Sequence, residues 1–167
     1  AFLFFNFTAK EQDKPTIYTV GDSTVKNGAG KGDGGLWGWG DYIGQFLDMT
    51  KVNLENHALG GTSSRTFQDK GLWEAVYKKL KKGDYVLIQF GHNDGKVTDS
   101  LRYTNPHTAY RYNLIQFVKE AREKGAIPIV LSQTPRNEWP NDKVERRADS
   151  YGGWSKVAAE NQKAFFI

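Results

Sequence analysis

Three short polar stretches in this chain each follow a hydrophobic run, and each carries groups able to act on a carbonyl. Gly21-Asp22-Ser23-Thr24 puts a hydroxyl just past a run of β-formers. A serine between a strand and a helical turn presents its Oγ at the sheet edge, where backbone N–H groups can face a developing oxyanion. The stretch is not G-x-S-x-G, so the nucleophile elbow of α/β-hydrolases does not apply. Alone it reads first as a turn or helix N-cap, where Asp and Ser are both favoured. In Asn56-His57-Ala58-Leu59-Gly60-Gly61-Thr62-Ser63-Ser64-Arg65, paired glycines permit close backbone approach, and a free N–H there can donate to an oxyanion. A tight turn is the plain alternative. In Gly91-His92-Asn93-Asp94, the Asn93 amide offers two N–H donors and no charge. That suits a tetrahedral oxyanion; an Asx turn is the plain alternative.

The elements that must position these groups alternate in kind. Strands are expected over Thr16–Val20, Val52–Leu54, Tyr85–Phe90 and Ile127–Leu131, with Phe165-Phe166-Ile167 opening another. Helices are expected over Trp39–Met49 (Tyr42, Ile43, Phe46 and Leu47 on one face), Leu72–Leu80, Thr108–Lys124 (Leu114, Phe117, Val118 and Ala121 inward) and Tyr151–Ala164. Gly125 suits a helix C-cap. Near-continuous apolar strands separated by helices predict an α/β fold, a parallel sheet covered on both faces. Ligands of such sheets sit at the carboxyl ends of the strands. All three polar stretches fall there.

Here the sequence resembles a known family. GDST near the start, a Gly-Gly loop about forty residues on and GHND after a hydrophobic strand follow the order of the SGNH (GDSL-like) hydrolase blocks. The stretches GDSTVKNGAGKGDGGLWGWGDYI, NHALGGTSSRTF, YVLIQFGHND and IVLSQTPRN resemble the rhamnogalacturonan acetylesterases among them, over residues 15 to 167. The resemblance implies a three-layer flavodoxin-like fold and a carbohydrate esterase, and the apolar start of the chain implies a secreted or periplasmic one. Its substrate would be an acetylated polysaccharide, and it needs no cofactor or metal. It implies Ser23 as nucleophile, with the Ser23 N–H, the Gly61 N–H and the Asn93 side chain as oxyanion donors. Gly61 is preferred to Gly60 because the family's glycine directly precedes an x-S-x-R run, here Thr62-Ser63-Ser64-Arg65.

The family's last block, an Asp-x-x-His holding the general base and its orienting Asp, has no counterpart here. The histidines are His57, His92 and His107, none with an Asp three positions earlier. The expectation is an incomplete chain that is nearly inactive by itself, since a serine without a base is a poor nucleophile. His92 beside Asn93 is a packing or substrate-contacting residue before it is a base. Trp37 and Trp39 could stack on a pyranose or anchor the next helix. Arg65, Arg136 and Asn137 could meet a uronate carboxylate, since Arg suits carboxylates bidentately. The alternatives are a non-catalytic carbohydrate-binding remnant of the fold and a lipase- or thioesterase-type SGNH hydrolase.

Composition narrows the remaining classes. The 167 residues carry a net charge of +4 and no cysteine, which excludes disulfides and thiolate chemistry. The basic run Lys78-Lys79-Leu80-Lys81-Lys82 reads as a solvated helix end, and no nucleic-acid motif accompanies it. Gly28 to Gly32 lacks the spacing of a phosphate loop. His92 and Asp94 are too few for a metal site. No segment is long enough to span a bilayer. Residues 1–14, with apolar Ala1 to Phe7 and then Thr8-Ala9, read as a signal-peptide remnant or an N-terminal extension. The hydrolase domain then runs over 15–167.

Overall fold

A computed structural model describes residues 14–135, 139–144 and 150–167. Residues 1–13 of the N-terminal extension, Arg136 and Asn137 therefore lie outside the described residues. Five strands form one sheet: β1 (Thr16–Gly21), β2 (Asn53–Asn56), β3 (Tyr85–Gln89), β4 (Ile127–Val130) and β5 (Phe165–Phe166). Their order is β2-β1-β3-β4-β5 and every pairing is parallel. This is the flavodoxin-like order, and chain connections leave β1 toward opposite sides, so a crevice opens between the carboxyl ends of β1 and β3. The register sets Gly21 beside Gln89, so the first and third polar stretches leave the sheet side by side.

The pleat divides the side chains into two sets. Tyr18, Val20, Val86, Ile88 and Val130 point into a continuous core. Four α-helices close that core: α1 (Ser64–Asp69), α2 (Leu72–Lys79), α3 (Arg111–Glu123) and α4 (Tyr151–Asn161). Phe67 of α1, Trp73 and Val76 of α2, Leu114, Phe117, Val118 and Ala121 of α3, and Ala158 and Ala159 of α4 are its buried contributions. Phe67, Phe90, Phe117 and Trp73 form a chain of ring contacts with centroids 4.7 to 5.6 Å apart. Of the two helical layers that this strand order carries, the described residues supply this one. On the opposite face Leu87 is buried, Ile17, Leu54 and Ile129 are half-buried, and the elements that reach it are 3-10 turns.

Those turns correct the expected helix over Trp39–Met49. The segment forms two 3-10 turns, Trp39–Asp41 and Ile43–Phe46, and Phe46 is 83% exposed. The reason is local. A Cβ at Gly38 would lie 2.2 Å from the carbonyl carbon of Val25, so the chain is pressed onto the loop after β1, not held off it by a helix. The long helix also starts differently. Pro106–Tyr110 is a π turn, capped by the Asn105 side chain accepting from the His107 N–H at 2.9 Å, and regular α3 begins at Arg111.

Candidate active site

The carboxyl ends of β1, β2 and β3 are tied into one unit by hydrogen bonds that pass through the Gly60-Gly61-Thr62 turn. The Gly21 carbonyl accepts from the Leu59 N–H at 3.0 Å and from the Thr62 hydroxyl at 3.3 Å. The Thr62 carbonyl accepts from Asn93 Nδ2 at 2.9 Å. All three predicted stretches thus meet through Thr62, which is itself buried.

Ser23 is half-buried and sits in the first turn after β1. That turn is shaped by Asp22, whose Oδ1 accepts from the Thr24 N–H at 2.9 Å and the Thr24 hydroxyl at 2.8 Å. The Gly60 backbone faces Ser23: a Cβ there would stand 3.5 Å from the Ser23 Cβ. Gly61 is exposed and adopts φ +80, a conformation that glycine takes at no steric cost. Asn93 is 4% exposed, so its amide is held with little freedom. One of its two N–H groups is used on Thr62, and the other donates to no further group among the described residues.

Behind Asn93 lies a buried polar network that sequence reasoning did not find. The Asp94 carboxylate accepts from the Ser64 N–H at 3.1 Å, the Ser64 hydroxyl at 2.6 Å and the Thr104 hydroxyl at 2.7 Å. Asn113 of α3 donates to the same Ser64 hydroxyl at 2.9 Å. The Tyr151 hydroxyl of α4 donates to the carbonyls of Asp94 at 3.0 Å and Thr104 at 2.6 Å. Burial pushes the Asp94 carboxyl above its ordinary value, its hydrogen bonds oppose that rise, and the nearby Asp22 adds to it. Burial likewise holds the Tyr151 and Tyr110 hydroxyls well above theirs, so both act as neutral hydrogen-bonding groups.

The remaining expected site residues divide. The Trp39 indole donates to Gln89 Oε1 at the end of β3, so it serves as an anchor beside the crevice. Trp37 stays 45% exposed and packs against the Tyr42 ring at 4.7 Å, open to a ligand. Arg65 donates to the Ser100 carbonyl at 3.2 Å and forms no ion pair among the described residues. His92 Nε2 contacts the Thr134 carbonyl at 2.9 Å, which ties GHND to the loop after β4. His57 pairs with Glu55 at 2.7 Å and His107 meets the Trp154 ring edge-on at 4.4 Å. No histidine bonds the Ser23 hydroxyl among the described residues.

Residues 17–166 match the GDSL-like lipase/acylhydrolase family. The chain belongs to that family. Among curated GDSL-like relatives, the probable rhamnogalacturonan acetylesterase YesY of Bacillus subtilis is 37% identical over 125 residues, 75% of this chain and 56% of YesY. A rhamnogalacturonan acetylesterase of Emericella nidulans is 33% identical over 171 aligned residues, 91% of this chain and 66% of that protein. The chain therefore spans between 56% and 66% of these relatives. The crystal structure of the protein YxiM from Bacillus subtilis superposes with a TM-score of 0.79 at 25% identity, over 93% of this chain and 43% of that one.

Proposed function

We propose that this GDSL-like chain carries the nucleophile of a serine esterase that removes acetyl groups from rhamnogalacturonan or a related pectic polysaccharide. The Ser23 hydroxyl attacks the acetyl carbonyl and gives its proton to a general base. The negative charge that forms on the carbonyl oxygen is taken up by the N–H groups of Ser23 and Gly61 and by the free N–H of Asn93. Collapse of the tetrahedral species expels the sugar oxygen, which takes the proton from the base and departs as a hydroxyl, and leaves acetyl on Ser23. Water then gives a proton to the same base as it attacks the acetyl carbonyl, and collapse frees acetate while the base returns the proton to the Ser23 oxygen. The three histidines are engaged elsewhere, on Glu55, Thr134 and Trp154, so the base in this scheme comes from outside the described residues.

The observation that carries the reading is the tie through Thr62, which gathers a half-buried serine, a left-handed glycine and a buried amide at the β1/β3 crevice. The names of the curated relatives support the acetylated pectic substrate. Exposed Trp37 supplies a stacking face for a sugar ring, and Trp39, Arg65 and His92 are the further candidate substrate contacts. A polysaccharide substrate also fits an exported protein, for which the apolar start of the chain is the sign.

The test is acetate release from acetylated rhamnogalacturonan oligosaccharides by the full-length protein, beside a triglyceride and an acyl thioester. Release from the sugar alone, abolished by Ser23→Ala, is expected. Undiminished release by Ser23→Ala overturns the assignment of the nucleophile, and preference for the triglyceride or thioester overturns the substrate class.

A further inference from the structure

An asparagine that stabilises an oxyanion must face the right way, and its two ends have nearly the same shape. Exchanging oxygen for nitrogen turns a donor into an acceptor at no steric cost. Burial cannot choose between the two; only partners can. Asn93 has two among the described residues. Its Nδ2 donates to the Thr62 carbonyl at 2.9 Å, and its Oδ1 accepts from Arg102 Nη1 at 3.4 Å. The reversed amide would set oxygen against the Thr62 carbonyl and an NH2 group against a guanidinium, unfavourable at both ends.

We propose that Arg102 is the positioning residue of Asn93: a guanidinium anchored on Asp99 fixes the orientation of the amide and so keeps one N–H of Asn93 presented to the crevice. The anchor is well formed. Arg102 Nε and Nη2 reach Asp99 Oδ2 at 2.6 and 2.5 Å, and the Arg102 N–H reaches Asp99 Oδ1 at 3.1 Å. The hydrogen bond from Arg102 holds the Asp99 carboxyl below its ordinary value, so the anchor is ionised at neutral pH. Asp99 is fixed by its backbone, which donates to Lys96 and accepts from Tyr103. The same loop is fastened to α1, since Arg65 donates to the Ser100 carbonyl at 3.2 Å.

The positive charge has a second effect. A cation at the amide oxygen polarises the amide, and a hydrogen bond accepted at one end strengthens donation from the other. The Thr62 carbonyl cannot do this, because it draws on the nitrogen side. Arg102 touches neither substrate nor Ser23 in this account; it acts through Asn93. Its catalytic consequence rests on the esterase reading above, but the orientation of the amide does not.

The test has two readouts. In the 15N-labelled chain, the Asn93 side-chain NH2 signals are identified by their loss in Asn93→Asp. Arg102→Gln is expected to shift them and to speed their exchange with solvent. Arg102→Lys keeps the charge without the fork and should fall between. Asp99→Asn, which leaves Arg102 in place but unanchored, should move the same signals less, and it serves if Arg102→Gln fails to fold. Unshifted Asn93 signals with unaltered exchange in both folded variants overturn the proposal. In full-length protein, kcat per reactive serine should fall about 10-fold in Arg102→Gln with KM nearly constant, because the interaction acts only in the transition state. Altered signals with unchanged kcat overturn the catalytic part. Full activity in Asn93→Ala instead overturns the esterase assignment of Asn93, and the spectrum still decides whether Arg102 orients it.

Discussion

Asn93 and Asp94 are adjacent, yet they carry opposite burdens. The amide must stay neutral and keep a donor free, whereas the carboxylate must absorb three donors in a site that penalises its charge. Removing the Asn93 amide takes a donor from the crevice and leaves the Thr62 carbonyl without that partner. Asn93→Ala in full-length protein is therefore expected to lower kcat by about 10² to 10³, read as acetate release per reactive serine. Asp94→Asn acts differently. An amide oxygen in the place of Oδ1 keeps both hydroxyl donors but accepts them without a charge, and the NH2 in the place of Oδ2 would face the Ser64 N–H. Hydrogen bonds to charged groups are individually worth about 1.5–3 kcal/mol and the relieved burial of charge offsets part of the loss, so a net destabilisation of about 2 kcal/mol is expected in urea unfolding. The pH dependence fixes the sign. Because the folded-state value of Asp94 is raised, the wild-type fold takes up a proton before the unfolded chain does as the pH falls. Its stability from this group thus rises on acidification through the window between the ordinary and the raised value. Asp94→Asn has no such group, so its deficit relative to wild type should widen there.

At the scale of elements, what was legible in the sequence depended on whether a segment is shaped by its own periodicity or by what crosses it. Leu114, Phe117, Val118 and Ala121 repeat at helical spacing, and all four are fully buried in α3. Phe117 touches both Phe90 and Trp73, so Phe117→Ala should cost about 3–5 kcal/mol by leaving a cavity at the centre of the ring chain, measured by thermal or urea unfolding. Tyr42, Ile43, Phe46 and Leu47 repeat just as well, but Gly38 and Gly40 lie against Val25, and that close approach is written in the loop after β1, not in the repeat. Gly38→Ala would force a methyl into the Val25 backbone, and a loss of about 1–3 kcal/mol is expected where an ordinary helix former would have gained stability. The short helix α1 was missed although its signal is present. Ser63 accepts from the Thr66 N–H at 3.2 Å and donates its own N–H to the Thr66 hydroxyl at 2.8 Å, a capping box with threonine where glutamate or glutamine is usual. Arg102 had no such signal. Its meaning lies in a loop that folds back onto Asn93 and Asp94, which no local pattern encodes.

At the scale of the molecule, the strand order explains why stretches so far apart in sequence share a site. Placing β1 between β2 and β3 sends two connections to opposite sides and leaves the gap that Ser23 and Asn93 flank. The same order leaves β2 at one edge, held to β1 by its ladder and tied to α2 by an ion pair. Glu55 of β2 receives Lys79 of α2 and His57, each at 2.7 Å. The Lys79 hydrogen bond, and after it that from His57, hold the Glu55 carboxyl below its ordinary value. A depressed folded-state value means stability that is fully present above the unfolded value and lost as the pH falls through the folded one. Glu55 is 38% exposed, so solvent screens the pair and the gain is under about 1 kcal/mol. Glu55→Gln should then lower Tm by no more than about 2–4 °C near neutral pH. The difference should vanish once the pH is low enough to protonate the folded Glu55 carboxyl, below its depressed value, and shrink in high salt. A deficit that persists unchanged at that pH would show that residue 55 holds the edge by packing and backbone pairing, with the charges on Lys79 and His57 as bystanders.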